Sequence, residues 1–127
     1  MIYLDTSAAV KVLIVEEQTQ EMRKLFAGTE SLVSSRLLEL ELATALQRRG
    51  GEESGASLVL SRVALLSLDD DVVTKALEDR SRLRALDALH LASATRLGDM
   101  VGSMLSFERE LVERAQEAGI PPHPLCA

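Results

Sequence analysis

Short apolar runs alternate along the chain with longer stretches whose apolar residues recur at helical spacing. Ile2, Tyr3 and Leu4 form the first run, which reads as a buried strand closed by Asp5. Ser7 stands where it would cap a helix over 8–15. A second helical pattern covers 17–27 and stops at Gly28. A short strand is expected over 31–34, then a helix over 37–49 broken by Gly50 and Gly51. A further helix over 53–62 makes these two a helical hairpin. The apolar run 63–68 reads as a third strand and 71–79 as a helix. The stretch 85–97, closed by Gly98, is a strong helix. A weaker fourth strand is expected over 100–105, and a last helix over 108–118, ended by Gly119. Pro121, Pro122 and Pro124 restrict any fifth strand to a sheet edge. Strand and helix in alternation predict an α/β fold of three α/β/α layers, with a central, mostly parallel sheet.

Composition narrows this picture. A chain of 127 residues suits one domain spanning 1–127, since two would each have too small a core. No apolar run approaches the roughly 18 residues that span a membrane, and the first residues show no export signal. Cys126 is the only cysteine, which argues against a disulfide or a cysteine-built zinc site and suits the cytoplasm. The formal net charge is −6, and there are two Phe, one Tyr and no Trp. An acidic surface repels phosphate, and few aromatic rings are available for base stacking. Any action on nucleic acid must therefore come from a local site, with cations turning acidic groups into phosphate ligands.

In open parallel sheets ligands bind beyond the carboxyl ends of the strands, so acids that emerge there matter most. Asp5 closes the first strand, where it serves equally well as a helix cap. The helix after the second strand carries Glu39 and Glu41. Leu38, Leu42 and Ala45 centre its apolar face. Glu41 borders that face, either reaching solvent or held near the core at a desolvation cost. Asp87 lies in the first turn of the strong helix, a position the helix dipole also favours. His90 falls among Leu86, Leu89, Ala94 and Leu97, which reads as a core histidine. Glu108 begins the last helix. Arg48 and Arg49 end the helix bearing Glu41; Arg80, Arg82 and Arg84 precede Asp87, and Arg96 ends its helix. These arginines read as solvated side chains and dipole partners, or alternatively as a track for an RNA backbone.

Four stretches, in this order and spacing, resemble the PIN-domain ribonucleases, and most closely the VapC toxins of toxin–antitoxin pairs. They are MIYLDTSA at 1–8, VSSRLLELEL at 33–42, LRALDALHLASA at 83–94, and LSFE at 105–108 with Leu111, Gly119 and Ile120 after it. The resemblance implies a metal-dependent endoribonuclease, inhibited by an antitoxin of the VapB type and commonly dimeric. It puts Asp5, Glu41 and Asp87 at metal-binding acid positions, Thr6 and Ser7 at the accompanying hydroxyls, and selects Glu41 over Glu39. His90 recurs in the pattern as a structural residue. The family usually has Asp where this chain has Glu108, so that carboxylate is displaced by about 1.5 Å. Glu108 is accordingly the weaker fourth ligand, with Asp99 and Glu110 poorer candidates still.

The chemistry suits such residues. Phosphodiester hydrolysis needs an activated water, a stabilised pentavalent phosphate and a neutralised leaving oxygen, and Mg²⁺ or Mn²⁺ can supply all three. These hard ions prefer carboxylate oxygen and water. Three or four acids suit one or two ions, with Thr6 or Ser7 orienting a ligand. Other phosphoryl-transfer folds fit less well. A receiver domain wants paired acids after the first strand and a late lysine, whereas Thr6 and Ser7 follow Asp5 and no lysine follows Lys75. A haloacid-dehalogenase-like site wants a second acid where Ser7 stands. A catalytically weak PIN-like scaffold that binds a protein partner is the reading of another class.

Overall fold

The computed structural model describes residues 1–126. Four strands, β1 (Ile2–Leu4), β2 (Leu32–Ser35), β3 (Val63–Leu66) and β4 (Ser103–Leu105), form one sheet in the order β3-β2-β1-β4. Every pairing is parallel. Helices α1 (Thr6–Leu13) and α2 (Thr19–Ala27) follow β1; α3 (Leu37–Arg49) and α4 (Ser54–Ser61) follow β2. Helices α5 (Asp70–Asp79) and α6 (Ala85–Arg96) join β3 to β4, and α7 (Arg109–Glu117) comes last. Among the described residues no helix is long and apolar enough to cross a membrane.

The alternation of side chains along each strand explains the three layers. Ile2 and Leu4 point to one face, where they meet Ala8 and Ala9 of α1, Met22 of α2, and Leu38, Leu42 and Leu46 of α3. Tyr3 points to the other, with Val33 and Met104, against Leu91 and Ala94 of α6 and Leu111 and Ala115 of α7. Both faces are covered, which is why the strands read as continuous apolar runs.

The expected elements are present, with local differences that have physical causes. Asp5, not Ser7, caps α1: its side chain accepts from the Ala8 N–H, and the helix starts at Thr6. The Ser7 hydroxyl itself donates to Asp5 Oδ1 at 2.7 Å, so its one proton is spent on the cap residue. The run 100–105 divides into a 3₁₀ turn at Gly98–Met100 and the strand β4, because Gly98 and the turn finish the preceding helix. The packed face of α6 is formed by His90, Leu91 and Ala94, while Leu86, expected within the apolar stripe, is 47% exposed. The proline-rich end meets the sheet at the edge beside β4, with a parallel bridge from Met104 to Pro122.

This topology determines where a ligand can sit. From β1 the chain moves outward to β2 and β3, then returns to lay β4 on the other side of β1. The switch in direction falls between β1 and β4, at the carboxyl ends of the strands, where two successive connections diverge and leave a crevice. Asp5 and Ser106 are the residues that immediately leave β1 and β4 there.

Candidate active site

A cleft of ≈ 610 Å³ opens at this end of the sheet, with Glu41, Asp87, Glu108 and Glu110 among its walls and Arg84 and Arg109 beside them. Glu41 is half-buried on α3, one turn along from Leu37 and Leu38, whose burial orients the helix. Glu39 points away and lies 3.8 Å from Arg36 at the surface. Asp87 occupies the first turn of α6. Glu108 is the residue before α7, and its side chain makes no capping bond, so its carboxylate is left to the cleft. Asp99 lies in the 3₁₀ turn, outside the cleft walls.

The acids do not share one environment. Asp5 is 2% exposed and is not part of the cleft wall. Its Oδ1 accepts from Ser7 Oγ at 2.7 Å and Ala8 N at 3.3 Å, and its Oδ2 accepts from Ser106 Oγ at 2.8 Å. Burial nevertheless dominates and raises its pKa from 3.8 to about 6, against the opposing effects of His90 and these hydrogen bonds. Asp87 is also raised, chiefly by desolvation and next by the negative charge of Glu108, with Glu41 adding to it. Glu41, Asp87 and Glu108 line the same cleft, close enough for the first and last to act on Asp87.

Glu41 is the most firmly held of the three. Its Oε1 accepts from Thr6 Oγ1 at 2.9 Å and lies 2.6 Å from His90 Nε2. Thr6 therefore serves Glu41, and Ser7 serves Asp5. Ser106, which the sequence did not single out, ties the arrangement together. Besides donating to Asp5, it accepts from the Glu108 backbone N–H at 3.0 Å. Ser7 Oγ likewise accepts from the Phe107 N–H at 2.8 Å. The signal for Ser106 lay in its position, a polar residue directly after a buried strand, where a buried hydroxyl must find partners. Arg109 was missed because it follows Glu108 at a helix start and resembles any exposed arginine; it also contacts Glu113 at 3.0 Å.

Two of the arginines considered as an RNA track have local partners: Arg49 binds Glu16 and Arg96 binds Asp69. Arg84 alone of that set reaches the cleft. Arg80 and Arg82 lie in the preceding loop, both in the left-handed backbone region.

The donor set at the cleft is all oxygen, which suits a hard divalent cation such as Mg²⁺ or Mn²⁺ and not a thiophilic one. The upward push on Asp87 from burial and from the charges of Glu108 and Glu41 is what an added positive charge would relieve. Among the described residues, no three His, Cys, Asp or Glu side chains are grouped closely enough to hold a metal ion as they stand.

An α/β fold with acids gathered at the switch point of a parallel sheet suits a hydrolase of phosphate esters. The PIN domain family matches residues 2–115, and the chain belongs to that family. Within it the chain is similar to the VapC ribonucleases. Ribonuclease VapC46 of Mycobacterium tuberculosis (strain ATCC 25618 / H37Rv) is 34% identical, over 94% of this chain and 93% of the relative. Ribonuclease VapC47 of Mycobacterium tuberculosis (strain CDC 1551 / Oshkosh) is 32% identical with the same coverage. The fold matches the crystal structure of Mycobacterium tuberculosis VapC20, a sarcin–ricin loop cleaving toxin, with a TM-score of 0.74 at 20% identity, covering 94% of this chain and 96% of that one. It also matches a chain of a toxin–antitoxin complex from Klebsiella pneumoniae, with a TM-score of 0.66 at 15% identity, covering 85% and 87%. The chain is thus a ribonuclease of the VapC type.

Proposed function

We propose that the chain acts at this cleft as the endoribonuclease toxin of a toxin–antitoxin pair. In this reading Mg²⁺ or Mn²⁺ is held by Asp5, Glu41 and Asp87, with Glu108 as a weaker fourth ligand. The observation that carries it is the meeting of Glu41, Asp87 and Glu108, from three distant helices, around one cleft beside the switch point. When bound, the cation activates water and neutralises charge on the phosphate and the leaving oxygen. The chain's own residues do the rest. Thr6 fixes Glu41, and Ser7 and Ser106 fix Asp5. Asp5 Oδ2 accepts one hydrogen bond and so keeps a further lone pair for a ligand. Arg84 and Arg109 stand where they would contact phosphates on either side of the reacting one, positioning the strand without reading its bases.

A cognate antitoxin of the VapB type, a homodimer, a single domain over 1–127 and a cytoplasmic setting complete the proposal. The test is cleavage of a structured RNA by the purified protein in Mg²⁺ or Mn²⁺, with EDTA as control, followed by sequencing of the new 5′ ends. Cleavage is expected to stop in EDTA and in Asp87→Ala. Metal-independent cleavage that survives both Asp5→Ala and Asp87→Ala would overturn the proposal. The burial of Asp5 outside the cleft wall favours a second reading, a PIN-like scaffold that binds a partner without cutting. The same assay separates the two, because a scaffold leaves RNA intact under every condition.

A further inference from the structure

His90 is 1% exposed, and its placement against Leu91 and Ala94 is that of a core residue. Its two nitrogens nevertheless have specific partners. Nδ1 lies 2.8 Å from the Tyr3 hydroxyl and Nε2 lies 2.6 Å from Glu41 Oε1. Tyr3 comes from β1, His90 from α6 and Glu41 from α3, so the line of contacts crosses the sheet layer and ends at the cleft. The rings of Tyr3 and His90 meet edge to face, with centroids 5.8 Å apart and planes at 77°, which fixes the imidazole's tilt as well as its depth.

We propose that Tyr3 and His90 are positioning residues for Glu41. The Tyr3 O–H donates to His90 Nδ1 and thereby selects the Nε2–H tautomer. That N–H donates to Glu41 Oε1 and turns Oε2 toward the cleft. The inference rests on the reading of Glu41 as a cation ligand. Three features support it. A carboxylate accepts and does not donate, so the group facing Glu41 must be N–H, and in the neutral imidazole Nδ1 is then the acceptor. The Tyr3 hydroxyl is itself buried and lies 2.8 Å from Nδ1, within donating distance of that nitrogen's lone pair. Oε1 also accepts from Thr6 Oγ1, so two donors from different helices fix one oxygen and leave the other free of described hydrogen bonds. The buried hydroxyls of Ser34 and Ser93 lie beside the Tyr3 oxygen without hydrogen-bond partners of their own; either can donate to it by rotating.

The experiment compares wild type with Tyr3→Phe, His90→Gln and His90→Leu, with Asp87→Asn as reference. Imidazole ¹⁵N shifts report the tautomer, and calorimetry reports Mn²⁺ affinity without RNA. Wild-type His90 is expected to show Nε2–H with Nδ1 unprotonated. Tyr3→Phe and His90→Leu are expected to weaken Mn²⁺ by about 10–100-fold, as is usual when a partner orienting a metal ligand is lost. His90→Gln, whose amide reaches as far as Nε2 and can donate, is expected to recover most of that loss. A merely space-filling histidine predicts the opposite order, with His90→Leu tolerated at least as well as His90→Gln. An Nδ1–H tautomer, or unchanged Mn²⁺ affinity in Tyr3→Phe and His90→Leu while Asp87→Asn loses it, overturns the inference. Unchanged affinity in Asp87→Asn as well removes the underlying metal-site reading, and the inference with it.

Discussion

At the scale of single residues, the acids behave differently because their surroundings differ. Asp87 is crowded by like charge, and Asp87→Asn removes that charge while nearly keeping its shape. In metal-free protein at neutral pH the variant is expected to melt higher than wild type. Cation binding to the folded state alone stabilises wild type by about 2.7 kcal/mol at 100 times Kd. The variant should lose most of the resulting Mn²⁺ shift, and all cleavage; melting curves with and without Mn²⁺ check this. Glu108→Gln should reduce activity less than Asp87→Asn does, and Glu108→Asp should retain or increase it, as turnover measurements would show. Asp5 gives a pH signature. Its folded pKa of about 6 exceeds the ordinary 3.8, so the folded protein holds a proton that the unfolded chain has released. Its contribution is full below 3.8 and is lost as pH rises to about 6. Carboxylates such as Glu16, which Arg49 and Lys11 hold low, change stability in the opposite direction. The informative quantity is therefore the difference between proteins: between pH 4 and 6, metal-free Asp5→Asn should lose less stability than wild type, as urea titrations at each pH would show. The sequence exposed the identities of these acids but not the distinction between them. Asp5 and Glu108 both follow strands, yet only the contacts of Ser7 and Ser106 reveal that one is buried and the other open.

At the scale of elements, the strands and helices were legible wherever local signals agreed. The end of α3 is an example. Gly50 takes a left-handed conformation at φ 77°, and a Cβ there would meet nothing within 4 Å. Gly50→Ala should therefore cost backbone strain alone, about 1 kcal/mol, with RNA cleavage unchanged; thermal melting and turnover together check it. Tertiary packing decided what local pattern could not. The helix over 85–97 was recognisable, and His90 and Ala94 of its expected stripe are buried, but Leu86 is exposed and Leu91 is buried in addition. What turns Leu91 inward is β1 and β4 on one side and α7 on the other. Arg62 was equally unreadable. Its guanidinium donates to the carbonyls of Phe26, Gly28 and Glu30, tying the end of α2 to a residue 32–36 positions later.

At the scale of the whole molecule, the parallel sheet followed from the alternation of short apolar runs with helical patterns. The strand order did not, because nothing local says that β4 lies beside β1. Charge acts at this scale too. A chain of net charge −6, with carboxylates gathered in one cleft, attracts a basic segment more readily than RNA. An antitoxin is therefore expected to place an Arg or Lys in the cleft, with association that slows as salt rises. A complex that keeps full Mn²⁺ occupancy and cleaves RNA would contradict this, and calorimetry of the complex with Mn²⁺ is the measurement.

The contact between Asp5 and Ser106 joins residues 101 positions apart. During synthesis the first strand leaves the ribosome long before its neighbour β4 exists. Most of the helices can form meanwhile, but the crevice between β1 and β4, and the carboxylate of Glu108 beyond it, come into being only after about a hundred further residues have been made. Closing a loop of that length is also slow compared with local folding. An enzyme that attacks RNA thus has no assembled site until β4 joins β1, and an inhibitor that bound before then would meet it before it could cut.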